Sequence, residues 1–396
     1  MAEVRLRVSL TEEQVSCFRD RRAHLAGPGA ASAAEAARAI LGAQAQQEGP
    51  ALFALSLRTK GRPTASALRA QLLDASGRRL VRTWGQRDTL HVFDPADWRI
   101  VVSARREWPQ SGRRGALPSE PDLAAIRSLF EQASGPLFRS ELFAAIPQQF
   151  VDEVADHPGV AASGSSAVRF AAARLVWRLA LAGDICFADK RGSKQSYVHR
   201  RLWFPDLEWL LEAPEVCATG LARRYLAVHG PASAADLAHF FGSGTNAARS
   251  WLEHLSPELV EIDCEARQGL FALREDLDAL TETPPGGVSG WPVRLLPKWD
   301  THLMRHADKS WLLPDEDERR LVWRKAADIS ATVVARGRIV AIWTYRATKK
   351  RVLVTVTPLG AWRKTHLPGV KREATALADF LEVPAVEVVS AERSPA

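Results

Sequence analysis

Two glutamines separated by one alanine, Gln44 and Gln46, are the residues whose type and spacing best suggest chemistry. Residues two apart point to the same side of an extended chain, so in such a segment both amides would project together. An amide has no proton to exchange near neutral pH and cannot serve as a general base. It can orient a water molecule and stabilise developing charge. The alternative is structural: the amides satisfy backbone groups in a turn between helices.

The segments on either side of this pair have the character of helices. Ala34 to Leu41 places apolar residues at helical intervals, and Gly42 is a residue type that often ends a helix. Gly49-Pro50 marks a second break, after which the apolar residues from Leu52 to Leu57 predict another helix. We therefore expect the two glutamines in an extended or turn-like link between two helices.

A helix followed by a two-stranded ribbon recurs three times along the chain, which predicts winged helices. The second and third occurrences share the pattern Gly-Pro-x5-Leu, beginning at Gly135 and at Gly230. Beyond residue 283, alternating β-branched residues predict a small β module that ends in a helix. We expect an α+β fold, mainly α, with three tandem winged helix-turn-helix units at 1–115, 116–212 and 213–283, followed by a β-barrel-like module at 284–396.

The bulk composition is that of an ordinary soluble protein, 46% hydrophobic and 25% charged. Lysine and arginine number 53 against 46 acidic residues, and the net charge of +7 favours a polyanionic partner. The four cysteines are widely spaced and form no metal-binding pattern, so they are expected to be buried thiols. The sequence shows no apolar run of membrane-spanning length and no signal peptide. We expect a cytoplasmic, nucleoid-associated protein that does not bind membranes.

Basic residues cluster at the tips of two predicted hairpins, where a winged helix contacts the DNA backbone. The first cluster is Lys190, Arg191 and Lys194, and the second is Lys349, Lys350 and Arg351. Any one such cluster could equally be a solvated basic face. Its repetition at wing positions favours DNA contact.

Four blocks of sequence are specific in combination. They are Gln44-Ala45-Gln46 followed by AL-x-AL-x-x-R ending at Arg58; Arg82-Thr83-Trp84-x-x-Arg87-x-Thr89-Leu90-His91; Leu295-Leu296-Pro297-x-Trp299-Asp300-x-His302-Leu303; and Gly337-Arg338 with Trp343. Together these blocks resemble the AlkZ-like DNA glycosylases, a family built from winged-helix units, and the resemblance extends from about residue 10 to about residue 381.

The resemblance implies hydrolysis of the N-glycosidic bond of an N7-alkylated purine in double-stranded DNA, including bulky or interstrand-crosslinked adducts. It implies a monofunctional, monomeric enzyme without a metal or organic cofactor, in which Gln44 and Gln46 hold the attacking water. The other residues that it implies as substrate or DNA contacts are Arg58, Arg82, Trp84, Arg87, His91, Trp299, Asp300 and His302. Asp88 and Arg305 depart from the family pattern.

Three alternatives stay open at this level. Glu48 could act as the base while the glutamines only orient the water, or it could be a favourable charge at a helix N-terminus. The chain could also be a non-catalytic DNA-binding protein, such as a transcriptional regulator, which would usually dimerise on a preferred operator. A lesion sensor that binds the adduct without cleaving it would differ from the enzyme only in activity.

Overall fold

The computed structural model describes residues 6–106, 108, 117–163, 166–287 and 290–391, and its fold mixes α-helices and β-strands. In these residues, no helix is both long and apolar enough to span a bilayer. The α-helices are α1 Glu12–Arg22, α2 Ala33–Ala39, α3 Glu48–Arg58, α4 Ala65–Leu73, α5 Pro95–Arg105, α6 Glu120–Gln132, α7 Gln148–Ala155, α8 Pro158–Ser163, α9 Ala167–Leu181, α10 Arg200–Trp203, α11 Pro214–His229, α12 Ala234–Phe241, α13 Thr245–His254, α14 Leu277–Thr281, α15 Thr301–Met304, α16 Glu316–Val322 and α17 Leu367–Phe380.

The strands are short at the N-terminal end of the chain and longer toward the C-terminal end. They are β1 Arg7–Leu10, β2 Ala43–Gln44, β3 Val81–Trp84, β4 Leu90–Phe93, β5 Leu137–Phe138, β6 Ile185–Arg191, β7 Lys194–His199, β8 Leu259–Cys264, β9 Arg267–Leu273, β10 Arg294–Leu296, β11 Thr332–Ala335, β12 Arg338–Ala347, β13 Val352–Pro358 and β14 Val386–Ser390.

The chain divides into two compact units, of which the larger combines Met1–Arg69 with Thr219–Ala396. In this unit β1 pairs with β8 in parallel, and β8 pairs with β9 in antiparallel register. Phe18 of α1 packs with Val260 and Ile262 of β8 in the core beneath this sheet. The N-terminal strand therefore completes a hairpin that lies about 250 residues further along the chain.

The C-terminal part of the larger unit contains a five-stranded sheet in the order β10-β11-β12-β13-β14. The expected barrel-like closure is wrong for the described residues, because β10 and β14 are the two edges of an open sheet. Helix α17 lies against both edge strands. Its aromatic residue Phe380 contacts Phe53 of α3, which in turn contacts Trp343 of β12. Helix α17 thus covers the face of the sheet that would be the interior of a closed barrel.

The smaller unit, Ala70–Ala218, contains the β3–β4 hairpin and a three-stranded sheet in the order β5-β7-β6. Helix α9 supplies much of its core, with Leu175, Trp177 and Leu179 almost completely buried. The sequence from Ala167 to Leu181 predicts a helix, and the structure confirms it with the same bounds. Its length and unbroken run of helix-forming residues make it easy to predict.

The structure contains the three predicted ribbons as the hairpins β3–β4, β6–β7 and β8–β9. Thr11 followed by Gln14, and Ser32 followed by Glu35, predict capped helix starts. The capping box at Thr11 is present, and Ser32 accepts a hydrogen bond from the Glu35 amide. The assignment of these elements to three winged-helix units stays a prediction, as do the four domain boundaries. The boundary between residues 115 and 116 lies outside the described residues.

Candidate active site

The paired glutamines lie on a short strand and the bend that follows it. Gln44 ends β2 and is 8% exposed, Ala45 is fully buried, and Gln46 is exposed in the bend. Gly42 has a φ of 96°, which explains why a glycine ends the preceding turn. The expected extended or turn-like link is therefore present. The two amides differ in environment, because the chain bends at Gln46 and one amide is buried while the other faces solvent.

Helix α3 begins at Glu48, two residues after Gln46, with Gly49 and Pro50 in its first turn. Proline is compatible with this position because the first amides of a helix have no intrahelical acceptor. The break predicted at Gly49-Pro50 thus lies inside the helix start. In this first turn, Oε1 of Glu48 accepts a hydrogen bond from Nη1 of Arg69 at 3.0 Å. This ion pair favours the helix-charge interpretation of Glu48.

The segment Asp300-Thr301 ties down both flanks of the glutamine motif. On the N-terminal side, Oγ1 of Thr301 donates a hydrogen bond to the carbonyl of Gly42 at 3.2 Å. On the C-terminal side, Nη1 and Nη2 of Arg58 donate to Oδ2 and Oδ1 of Asp300 at 2.9 and 2.7 Å. The side chains of this ion pair are completely buried. One short segment therefore fixes the chain just before Gln44 and at the far end of the helix after Gln46.

Asp300 also begins α15, since its side chain accepts a hydrogen bond from the backbone amide of His302 at 2.9 Å. The His302 ring lies in the interior, with Nδ1 3.4 Å from Oδ1 of Asp20. Burial, together with the charges of Arg305 and Arg58, lowers the pKa of His302 well below its ordinary value. His302 is therefore a neutral interior side chain in this structure.

Arg305, which departs from the family pattern, is 1% exposed and lies 3.9 Å from the carboxylate of Asp20. Burial lowers its pKa to about 10, and burial raises the pKa of Asp20. Oδ2 of Asp20 accepts a hydrogen bond from the indole of Trp291 at 2.8 Å. Sequence reasoning did not identify Asp20 or Thr301 as part of this arrangement. Thr301 lies inside the third block and could have been identified from it, whereas Asp20 lies outside all four blocks.

The remaining residues of the third and fourth blocks are structural in their contacts. Trp299 has a φ of 56° and donates its indole hydrogen to the carbonyl of Ala327 at 2.9 Å. Trp343 donates to the carbonyl of Leu296 at 2.9 Å. Gly337 has a φ of 73°, and a Cβ there would lie 2.4 Å from Cβ of Ser16. The glycine is therefore required both for its backbone conformation and for close packing.

The second block lies in the smaller unit, on β3 and β4. Trp84 packs against Phe187 and Tyr197, with ring centroids 4.9 and 6.5 Å apart. Arg82 is buried, and its guanidinium lies 4.9 Å from the centre of the Phe187 ring. Aromatic packing of this kind holds the arginine stem and positions its charge.

Arg87 and His91 of the same block lie beside a buried ion pair. Asp88 and Arg105 form that pair, and Arg105 also donates to the carbonyl of Gly85. The negative charge that Asp88 adds to the family pattern is thus neutralised by Arg105 at the end of α5. Burial and the neighbouring Arg105 lower the pKa of Arg87 to about 10. Burial and the charge of Arg87 lower the pKa of His91 to about 3.

His91 is consequently neutral near pH 7. Its Nδ1 lies 3.0 Å from the carbonyl of Thr89, so this nitrogen carries the hydrogen and donates it. The ring stacks on Phe93 with centroids 5.4 Å apart. Its remaining nitrogen, Nε2, is then an acceptor and carries no positive charge for a phosphate.

Both predicted basic clusters are exposed. Lys190 and Arg191 end β6 and Lys194 begins β7, so the three side chains surround the turn at Gly192, whose φ is 61°. The C-terminal cluster forms the tip of the β12–β13 hairpin. Arg351 in that cluster pairs with Glu387 at 2.9 Å. The structure therefore gives each cluster an exposed hairpin tip. Within the described residues, no group of three or more histidine, cysteine or carboxylate side chains could hold a metal ion.

Comparison with known proteins shows which family the chain belongs to. A sequence model for DNA glycosylase AlkZ-like proteins matches residues 37–380. A protein of Streptomyces sahachiroi, described as an interstrand DNA cross-link repair glycosylase, is 26% identical over 382 residues, covering 92% of this chain and 95% of its own. The solved structure of the Streptomyces sahachiroi DNA glycosylase AlkZ superposes with a TM-score of 0.77 at 22% identity, covering 97% of this chain and all of that one. The chain therefore belongs to the AlkZ-like DNA glycosylase family.

Proposed function

We propose that this enzyme hydrolyses the N-glycosidic bond of N7-alkylated purines in double-stranded DNA and leaves an abasic site. An N7-alkylated purine already carries a positive charge, so it departs as a neutral base when the electron pair of the C1′–N9 bond moves to N9. A general acid is unnecessary for such a leaving group. Water supplies its oxygen to C1′ and releases one proton to solvent. The barrier lies in the positive charge on the sugar and in placing the water.

Gln44 and Gln46 supply both requirements in this proposal. Their carbonyl oxygens accept hydrogen bonds from the water, and their amide dipoles stabilise the oxocarbenium-like sugar. Gln44, which is buried, has a fixed orientation, while Gln46 is exposed to an incoming DNA strand. Such a site stabilises charge weakly, so it acts on bonds that alkylation has already destabilised.

The single observation that carries this assignment is the clamp on the motif. Asp300 and Thr301 hold Arg58 and Gly42, so the backbone on both sides of the glutamines is fixed before substrate binds. Preorganisation of this kind lowers the reorganisation needed in the transition state. Nothing in the backbone chemistry of an ordinary interhelical turn would require two buried anchors.

The contacts of Arg58, Asp300 and His302 support a positioning role in place of direct DNA contact, because all three side chains are buried. Arg82, Trp84, Arg87 and His91 are proposed to contact the substrate DNA. Trp299 is proposed to border the site through the turn before Asp300. The two basic hairpin tips, at Lys190, Arg191 and Lys194 and at Lys349, Lys350 and Arg351, are proposed to contact phosphates.

The substrates proposed for this chain include bulky adducts and interstrand cross-links, and the Streptomyces sahachiroi relative is named as an interstrand DNA cross-link repair glycosylase. A site with neither a general acid nor a covalent intermediate requires a base that is already cationic, and it sets no chemical requirement on the size of the N7 substituent. We further propose that the enzyme acts as a monomer, associated with the nucleoid.

Base release from a duplex carrying one N7-methylguanine tests the proposal. Gln44→Ala and Gln46→Ala should each lower kcat by about 10²-fold or more while DNA affinity is retained. Gln148→Ala, at an exposed glutamine on α7, is the matched control and should behave like wild type. Glu48→Gln tests whether Glu48 acts as the general base instead. Loss of base release in this variant alone would assign catalysis to Glu48. Release no faster than spontaneous depurination, with simple and bulky N7 adducts alike, would overturn the proposal.

A further inference from the structure

A cavity of about 290 Å³ lies in the larger unit, directly beside the glutamine motif. Its wall on that side is formed by Gln47, the residue after Gln46, and by Gly49 and Pro50 of the first turn of α3. Adjacent residues are about 3.8 Å apart along the chain, so the cavity begins within one residue of the proposed catalytic amide. The proposed chemistry does not use this space.

Four aromatic side chains contribute to the wall of this cavity. Phe53 lies at the centre, with its ring 6.3 Å from Trp343 and 5.1 Å from Phe380. Tyr345 stacks on Trp343 at 5.9 Å with planes 29° apart, and it is 44% exposed at the rim. Because the indole of Trp343 donates to the carbonyl of Leu296, its orientation is fixed. These rings provide faces and edges against which a planar group can pack.

The charged groups of the cavity lie together on one side. Lys298 pairs with Asp328 at 2.6 Å, and Arg324 lies 3.7 Å from the same carboxylate. Two cations against one anion leave a net positive charge on this side of the cavity. Ser330 donates its hydroxyl hydrogen to the carbonyl of Leu321, so that donor is already used.

We propose that this cavity binds a neutral, planar aromatic substituent carried by the alkylated purine, and thereby gives the enzyme its preference among adducts. A cavity of about 150 Å³ holds one benzene ring, so this one accommodates up to two fused rings. The alkylated nucleobase itself is a poorer occupant, because it is cationic and Lys298 and Arg324 place positive charge in the wall. The inference rests on the proposed function, since it places the substituent next to Gln46 while the C1′–N9 bond is cleaved.

The test compares two duplexes, one carrying N7-methylguanine and the other an N7-guanine adduct with a quinolylmethyl group. Ala331→Leu fills the cavity from one wall, and Tyr345→Ala removes an exposed part of another. Leu367→Ala, also partly exposed in the same unit but outside the cavity, is the matched control. Thermal melts confirm that each variant is folded.

Wild type and the Leu367→Ala control should favour the quinolylmethyl adduct by about tenfold or more in kcat/KM. Ala331→Leu and Tyr345→Ala should lose this preference and still release N7-methylguanine at close to the wild-type rate. Tyr345→Phe should retain the preference, because it keeps the ring. An unchanged preference in the filled variant would overturn the proposal. Equal losses on both duplexes would also overturn it, and would assign the cavity to the base or to stability.

A binding measurement separates this proposal from the catalytic one. Free 2-methylquinoline is titrated into the full-length protein and followed by saturation-transfer NMR, with Ala331→Leu in parallel. Binding to wild type that is lost in the filled variant supports the cavity assignment, even if neither duplex is hydrolysed and the catalytic proposal fails. Equal signals from the two proteins would overturn the cavity assignment whatever the activity.

Discussion

Replacing Asp300 by asparagine is the most direct way to test whether the buried clamp stabilises the fold and the active site. Both side chains of the Arg58–Asp300 pair are 0% exposed, and two hydrogen bonds of 2.9 and 2.7 Å join them. Removing one charge of such a pair leaves the other buried without compensation, at a cost of about 3–5 kcal/mol. Asparagine can still accept one hydrogen bond, so we expect a loss near the lower end of that range.

Loss of about 3 kcal/mol leaves a domain of ordinary stability folded, because native proteins are stable by about 5–15 kcal/mol. Urea denaturation gives the change in the free energy of unfolding. Release of N7-methylguanine, measured well below the unfolding midpoint, gives kcat. A displacement of about 1 Å at a catalytic group can cost about 10²-fold in rate, so kcat should fall while DNA affinity is retained.

The double variant Arg58→Met/Asp300→Leu distinguishes a buried ion pair from a general packing effect. Replacing both partners by apolar residues of similar volume removes the unpaired charge, so stability should return to within about 1 kcal/mol of wild type. A double variant as unstable as the sum of its parts would refute the ion-pair argument. A loss below about 1 kcal/mol for Asp300→Asn alone would refute the burial on which the magnitude rests.

Three further predictions follow from other parts of the structure. Thr301→Val removes one hydrogen bond to the Gly42 carbonyl and should cost about 1 kcal/mol in urea denaturation, with a fall in kcat that a serine at this position restores. The pKa of His91 is lowered to about 3 in the folded protein, so between pH 6.5 and 3 the unfolded chain binds one more proton than the folded chain. The free energy of unfolding should therefore fall with decreasing pH by up to about 1.4 kcal/mol per pH unit, and by less in His91→Gln. Alanine at Lys190, Arg191 and Lys194 together should reduce the slope of log K for DNA against log salt by about 2.7 if each contacts a phosphate, and an unchanged slope would assign them to a solvated face.

Local chemistry explains which elements could be predicted from the sequence. The capping pattern at Thr11, the helix at 167–181 and the hairpin around Gly192 each depend on residues within a few positions of one another. Caps, helical propensity and turn glycines act over that distance. The link carrying Gln44 and Gln46 was predictable for the same reason, since Gly42 and Pro50 bracket it.

Features that depend on distant contacts were missed. The sequence predicts that the C-terminal helix begins near Glu373, because Pro368 and Gly369 resemble a loop. This start is wrong, since α17 begins at Leu367. In the structure, a Cβ at Gly369 would lie 2.7 Å from Cβ of Val293, so this glycine permits close packing inside a helix. The open C-terminal sheet was missed for a similar reason. Its last strand, β14, pairs in parallel with β13 after a long connection. Such pairings leave no local pattern in the chain.

The third block is recognised in the sequence, but the contacts in the structure give its residues a different role from the one that the sequence suggests. Its aspartate and histidine, Asp300 and His302, have the residue types of substrate-binding groups, and sequence alone favours that role. Their partners are Arg58 and Asp20, more than 240 positions away, and these contacts bury both side chains. A carboxylate whose lone pairs receive a buried guanidinium and a helix amide has little capacity left for a ligand. Its effect on the reaction must therefore be transmitted through the position of the glutamine turn, which is why the stability and the rate of Asp300→Asn have to be measured on the same protein.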